Sequence, residues 1–161
     1  MIPITAFALL YRKSVRVRTL VRNSDPRKLT LVQTPRVIGA GIFAQRYFKG
    51  EIPASYGVTV ALLDLAIGAT APLAARMRSA RGLTFWNWIG LAALMVSVGS
   101  GLLTNPGPWQ LFLGRKSSEP TKSLPLVLVP TLFGPATLTA HMIALAALHA
   151  RRDPPLDDVP V

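Results

Sequence analysis

The chain has 161 residues, half of them hydrophobic and only 16% charged, with 18 Lys and Arg against 7 Asp and Glu and no cysteine. The missing cysteines exclude a disulfide framework and any thiol-based metal site or nucleophile. A net charge of +11 on so apolar a chain suits a membrane better than nucleic acid, which needs its basic residues gathered on a solvated face among stacking aromatics.

The chain opens with MIPITAFALLY, apolar for eleven residues, and then turns basic at Arg12, Lys13, Arg16, Arg18 and Arg22. A secretory signal has the opposite order, positive charge first. Residues 1–30 are therefore expected to form a basic amphipathic arm on the membrane surface, where each Lys or Arg near anionic headgroups contributes about 1 kcal/mol. The remnant of a span cut short by a late start codon is the alternative.

Residues 29–48 are apolar but carry Gln33, Arg36, Gln45 and Arg46, which predicts a span sheltered by others. Residues 54–75 hold one charge, Asp64, and residues 83–104 hold none. Each is about 33 Å long as a helix, enough to cross a hydrocarbon core of about 30 Å. Residues 124–148 form a further apolar stretch in which His141 is the one ionisable group. Prolines 125, 130 and 135 recur there every five residues, which predicts a kinked or partly unwound first half. Residues 149–161 end in a Pro-rich, acidic run expected to be a disordered tail.

Positive charge sets the expected topology. Twelve Lys and Arg lie in residues 1–30, in the loop 76–81 and at 151–152, against five in the connections on the other side. The positive-inside rule then puts both termini in the cytoplasm.

A segment from Arg36 to Ala44, RVIGAGIFA, matches the G-x-G-x-x-A dinucleotide fingerprint, and Asp64 follows at nearly the expected distance. Its context argues against that reading: Gly50 and Pro53 interrupt the required helix, and no strand–helix–strand pattern follows. Glycines that let membrane helices approach closely are the simpler account.

The polar residues at membrane depth form the candidate site. Asp64 lies at the middle of its span, where an unpaired carboxylate costs about 2.5 to 3.5 kcal/mol, so it should turn inward and pair, with Arg36 the natural partner. Arg36, Asn87 and His141 all fall in the cytoplasmic third by the topology above. They are expected to form one polar layer beneath Asp64, either open to a cytoplasmic cavity or serving only to join helices. His141 and His149 are about 12 Å apart along one helix and cannot clamp a haem between them; no cofactor and no metal are expected.

Small residues recur at four-residue spacing at Ala93, Ser97 and Gly101, and at Ala136, Ala140 and Ala144, the pattern of closely packed membrane helices. Trp86 and Trp88 on one side, and Tyr47, Phe48 and Tyr56 on the other, are expected to anchor the chain at the interfaces. Trp109, Leu111, Phe112 and Leu113 would lie flat on the outer surface or against a neighbour. No nucleophile elbow or paired carboxylates are present, so a non-catalytic protein is expected.

Gln33-x-x-Arg36-x-x-Gly39, Gly50-x-x-Pro53, Asp64-x-x-x-Gly68 with Pro72, Trp86-Asn87-x-x-Gly90-Leu91, and Leu124-Pro125 with Pro130 and His141 resemble a loose family of small multi-pass bacterial membrane proteins of uncharacterised function. The resemblance spans most of residues 31–148 and implies no particular activity. Members of that family carry a further span before the Gln33 segment and an acidic residue at the position of Ala93.

The resulting expectation is an all-α integral membrane bundle of about four transmembrane helices at residues 31–148, with an N-terminal interfacial arm. It would be a multi-pass protein of the bacterial inner membrane, in contact with anionic headgroups and with partner subunits, and without nucleic acid. An accessory or scaffold subunit is the first functional reading. A small permease or ligand-binding protein using Arg36, Asp64, Asn87 and His141 is the second.

Overall fold

The structure, a computed structural model, describes residues 2–111, 116–124 and 126–151. The expected disordered tail beyond residue 151, the kink at Pro125, and Phe112 and Leu113 of the surface loop lie outside the described residues. All regular structure among those described is helical.

The N-terminal segment folds as α1 (Ile2–Lys13), α2 (Val15–Asn23) and α3 (Pro26–Leu31). Ser14 caps α2 by accepting from Val17 N, and Asp25 caps α3 by accepting from Arg27 N, with Pro26 fitting the first helical position. The basic arm is thus a set of short helices, and part of it enters the bundle: Val21 of α2 is fully buried, and α2 packs against α7.

α4 (Arg36–Phe48), α5 (Ala54–Ala75), α6 (Ala80–Thr104) and α7 (Gly134–Ala150) follow. A single π-helical turn, Val129–Phe133, leads directly into α7. Among the described residues three helices are long and apolar enough to cross a membrane: Ala54–Ala75, Ala80–Thr104 and Val129–Ala150, the last including the π turn. The fourth span expected at residues 29–48 is not continuous. It is divided into α3 and α4 by turns at residues 32–35, where Pro35 lacks an N–H and biases Thr34 away from helical geometry. α4 alone has 13 residues, about 20 Å.

α5 packs on α4 and α6, α6 on α7, and α3 on both α7 and α5. The three long helices therefore enclose a corner that α3 fills. One apolar cluster, Ile67, Ala71, Ala74, Leu83, Trp86, Ala93 and Leu148, lies on the side where α5 ends and α6 begins. A second, Phe43, Ile52, Tyr56, Val60 and Leu126, lies on the opposite side.

Two of the expected interface anchors belong to these cores. Trp86 is buried and donates from Nε1 to Thr70 Oγ1 at 3.0 Å, and Tyr56 is buried edge-on against Phe43, with centroids 5.3 Å apart. A small residue opposite leaves room for the tyrosine ring: Tyr56 lies against Gly101 of α6, where a Cβ would fall 2.9 Å from Cε2. Trp88, Phe48 and Trp109 are exposed, as anchors should be. Ala93 and Ser97 of the first small-residue ladder are buried within the chain, as are Ala140 and Ala144 of the second, whereas Ala136 is exposed. The outer faces of α5 and α6 present Leu62, Leu65, Leu73, Phe85, Val96 and Leu102 to the surroundings.

The prolines act as predicted on the last helix. Pro130, inside the π turn, and Pro135, in the first turn of α7, cannot donate into the helical ladder, and the wider π turn carries the chain past the missing bonds.

Candidate functional site

Between the two apolar clusters lies a buried polar network supplied by α3, α4, α5, α6 and α7. Thr30, Gln33 and Arg36 recur every three residues through α3, the turn and the start of α4, so they share one inward face. Thr30 is not among the residues expected from the sequence, and Gln33 enters there only as a polar interruption and as part of the Gln33-x-x-Arg36 motif; this spacing is the signal for both.

Arg36 and Asp64 form an ion pair inside the bundle. Arg36 Nε and Nη2 both donate to Asp64 Oδ1, at 2.9 and 2.6 Å. Two glycines make this approach possible. A Cβ at Gly39 would stand 3.3 Å from Asp64 Oδ2, and one at Gly68 would stand 2.8 Å from the backbone N of Val37. The first turn of α4 is thus pressed against α5 at Asp64 and Gly68, which gives a physical reason for the Arg36-x-x-Gly39 and Asp64-x-x-x-Gly68 spacings. The segment that mimicked a nucleotide fingerprint is the interior of α4, and residues 58–64 are the interior of α5. No strand is present among the described residues to place either in a βαβ unit.

Asn87 and His141 form the second pair. Asn87 Nδ2 donates to Leu83 O at 2.9 Å and to Thr30 Oγ1 at 3.3 Å, so its Oδ1 faces His141 Nδ1 at 2.9 Å. An amide oxygen can only accept, so Nδ1 carries the proton and Nε2 is a bare acceptor in the neutral ring. The Cε1–Nε2 edge of the ring abuts Gly90, where an added Cβ would come within 2.6 Å of Nε2, and Trp86 closes the side at 5.8 Å between centroids. Trp86, Asn87 and Gly90 thus form a fitted seat for His141 on one face of α6.

Gln33 connects the first segment to the last, its Nε2 donating to Thr137 O at 3.2 Å. Thr137 lies one turn before His141 on α7. Three buried polar atoms of the network have no hydrogen-bond partner among the described residues: Gln33 Oε1, Arg36 Nη1 and His141 Nε2. They comprise a donor and two acceptors.

The structure brings all four expected residues into the bundle interior, hydrogen-bonded as two pairs, Arg36 with Asp64 and Asn87 with His141. No hydrogen bond joins Arg36 to Asn87 or His141 among the described residues. A crevice lies where the long helices end, with Pro26, Leu83 and Leu148, all buried, among its lining residues. Thr30 and Asn87 lie one helical turn deeper, and their bonds to Pro26 O and Leu83 O tie the network to that lining. Among the described residues no three of His, Cys, Asp and Glu converge as a metal site would require.

A family model described as a domain of unknown function, DUF8737, matches residues 1–149, in agreement with the resemblance to an uncharacterised family. No curated protein and no solved structure matches the chain.

Proposed function

The chain belongs to the DUF8737 family, and from that premise we propose that it is a multi-pass protein of the bacterial inner membrane whose role is structural: a non-catalytic accessory or scaffold subunit of a larger membrane complex. The observation that carries this reading is the burial of the polar network. Its charges are paired, its imidazole is seated against backbone, and Thr30, Gln33, Asn87 and His141 are all at most 1% exposed. In lipid such groups join helices and fix their register, which suits a rigid unit that presents surfaces to others.

The broad apolar faces of α5 and α6 support a membrane setting, with room for partner helices beside lipid. Both termini lie in the cytoplasm in this reading, together with the loop between α5 and α6. Isolation of the tagged protein in mild detergent tests the role: a stoichiometric partner protein supports it, and recovery as a lone monomer from native membranes contradicts it.

A second reading, a small permease or ligand-binding membrane protein, draws on the three unpartnered atoms Gln33 Oε1, Arg36 Nη1 and His141 Nε2. Buried polar atoms of this kind are commonly satisfied by water or a polar ligand. Under this reading, proteoliposomes would show a pH-dependent flux that disappears when Arg36→Gln and Asp64→Asn are combined, a change that neutralises the pair without stranding a charge.

A further inference from the structure

The three positively charged segments, far apart in the sequence, converge at one place. Arg27 of α3, Arg78 of the turn between α5 and α6, and Arg151 at the end of α7 line a single crevice of about 490 Å3. Asp25 is the only carboxylate among the described residues that line it, and its Oδ1 is engaged as the cap of α3, accepting from Arg27 N at 2.9 Å.

The guanidinium groups have free donors. Arg27 Nη2 donates to Met77 O at 3.4 Å and Arg151 Nη2 to Ser24 O at 3.1 Å, which holds both side chains at the rim with most of their N–H groups unused. Arg78 is exposed and has no side-chain hydrogen bond or ion pair to any described residue. Ser79 and Ala80, at the N-terminal end of α6, also line the crevice and add the positive end of a 25-residue helix. Like charges gathered without a neutralising partner favour an anion, and guanidinium matches the geometry of phosphate oxygens.

The apolar lining identifies the kind of anion. Pro26, Leu83 and Leu148 are apolar, and the crevice lies where all three long apolar helices end, at the depth where hydrocarbon gives way to headgroups. A free phosphate gains nothing from that lining, whereas a lipid places its phosphodiester among the arginines and its glycerol and upper acyl chain on the apolar residues.

We propose that this crevice binds the phosphate of an anionic phospholipid headgroup. The proposal rests on the reading of the chain as a membrane protein. It is tested on the full chain in a neutral detergent by following thermal unfolding while phosphatidylglycerol, phosphatidylcholine or inorganic phosphate is titrated in. Phosphatidylglycerol is expected to raise the midpoint saturably and phosphatidylcholine to leave it unchanged. Arg78→Gln should raise the half-saturating concentration about fivefold, the equivalent of one lost basic contact. Arg12→Gln with Arg18→Gln, which removes more charge away from the crevice, should change it less than twofold.

Equal responses to both lipids, or an unaltered response in Arg78→Gln, would overturn the proposal. A matching rise with inorganic phosphate would assign the crevice to a soluble phosphate instead, and a loss of stability in Arg78→Gln without lipid would assign it to an acidic group of the chain itself. Alkaline carbonate extraction separates the premise from the proposal. Release of the protein by carbonate removes the membrane reading, whereas a carbonate-resistant protein without lipid preference removes the crevice alone.

Discussion

Gly90 and the edge of the His141 ring meet: the imidazole lies where a side chain at position 90 would project, and any Cβ there would overlap the ring. The ring cannot swing away, because its Nδ1 is held by Asn87 and Trp86 closes one side. Gly90→Ala should therefore destabilise the protein by about 1 to 3 kcal/mol, the usual cost of overpacking, despite alanine's better helix propensity. Combining it with His141→Ala should recover part of the loss, since the double change removes the clash. Unfolding in mixed micelles checks the cycle; strict additivity would show that the two residues do not interact.

Removing one member of the Arg36–Asp64 pair strands a buried charge. Arg36→Met or Asp64→Leu alone should cost about 3 to 5 kcal/mol, whereas the double replacement should be closer to wild type than either single variant. The same unfolding measurement decides, and a double variant as unstable as the sum of the singles would contradict the paired geometry.

Trp86 differs from the other two tryptophans. It is buried with its indole N–H bonded to Thr70, while Trp88 and Trp109 are exposed. Trp86→Phe should remove the fluorescence component least accessible to acrylamide and cost about 1 kcal/mol for the lost hydrogen bond. Thr70→Val should reproduce the stability loss while keeping the protected fluorescence.

Orientation is directly testable because the chain has no cysteine. With cytoplasmic termini, Glu119→Cys in intact cells should react with a membrane-impermeant maleimide, and Arg81→Cys should react only after the membrane is opened. Both positions are exposed, so the reverse pattern would invert the topology.

Much of the fold was legible because membrane-like helices declare themselves by unbroken apolar length. The limits of α5 agree to the residue with the apolar run at 54–75, and α6 begins three residues before its run, where Ser79 accepts from Gly82 N and caps the helix. The Arg36–Asp64 pair followed from the expense of isolated charge in an apolar setting. What the apolar pattern hid was the interruption at residues 32–35, because one proline among hydrophobic residues weighs little in a hydropathy average yet removes a backbone donor. Trp86 and Tyr56 were misplaced for a related reason. Tryptophan and tyrosine near a helix end fit an interfacial belt, but the residues that bury them, Thr70 and Gly101, lie on other helices. The seat for His141 was equally hidden, since Gly90 acquires meaning only through a contact 51 positions away.

The bond from Gln33 to Thr137 joins residues 104 positions apart, and this constrains the order of assembly. During synthesis α4 can pack on α5 and α5 on α6 as soon as each emerges, but α3, which rests on α5, gains its second wall only when α7 has been made. Until then Gln33 lacks its partner on the last helix, and the histidine seat on α6 stands empty. The bundle is therefore closed by its final helix, which completes the seams on both sides at once.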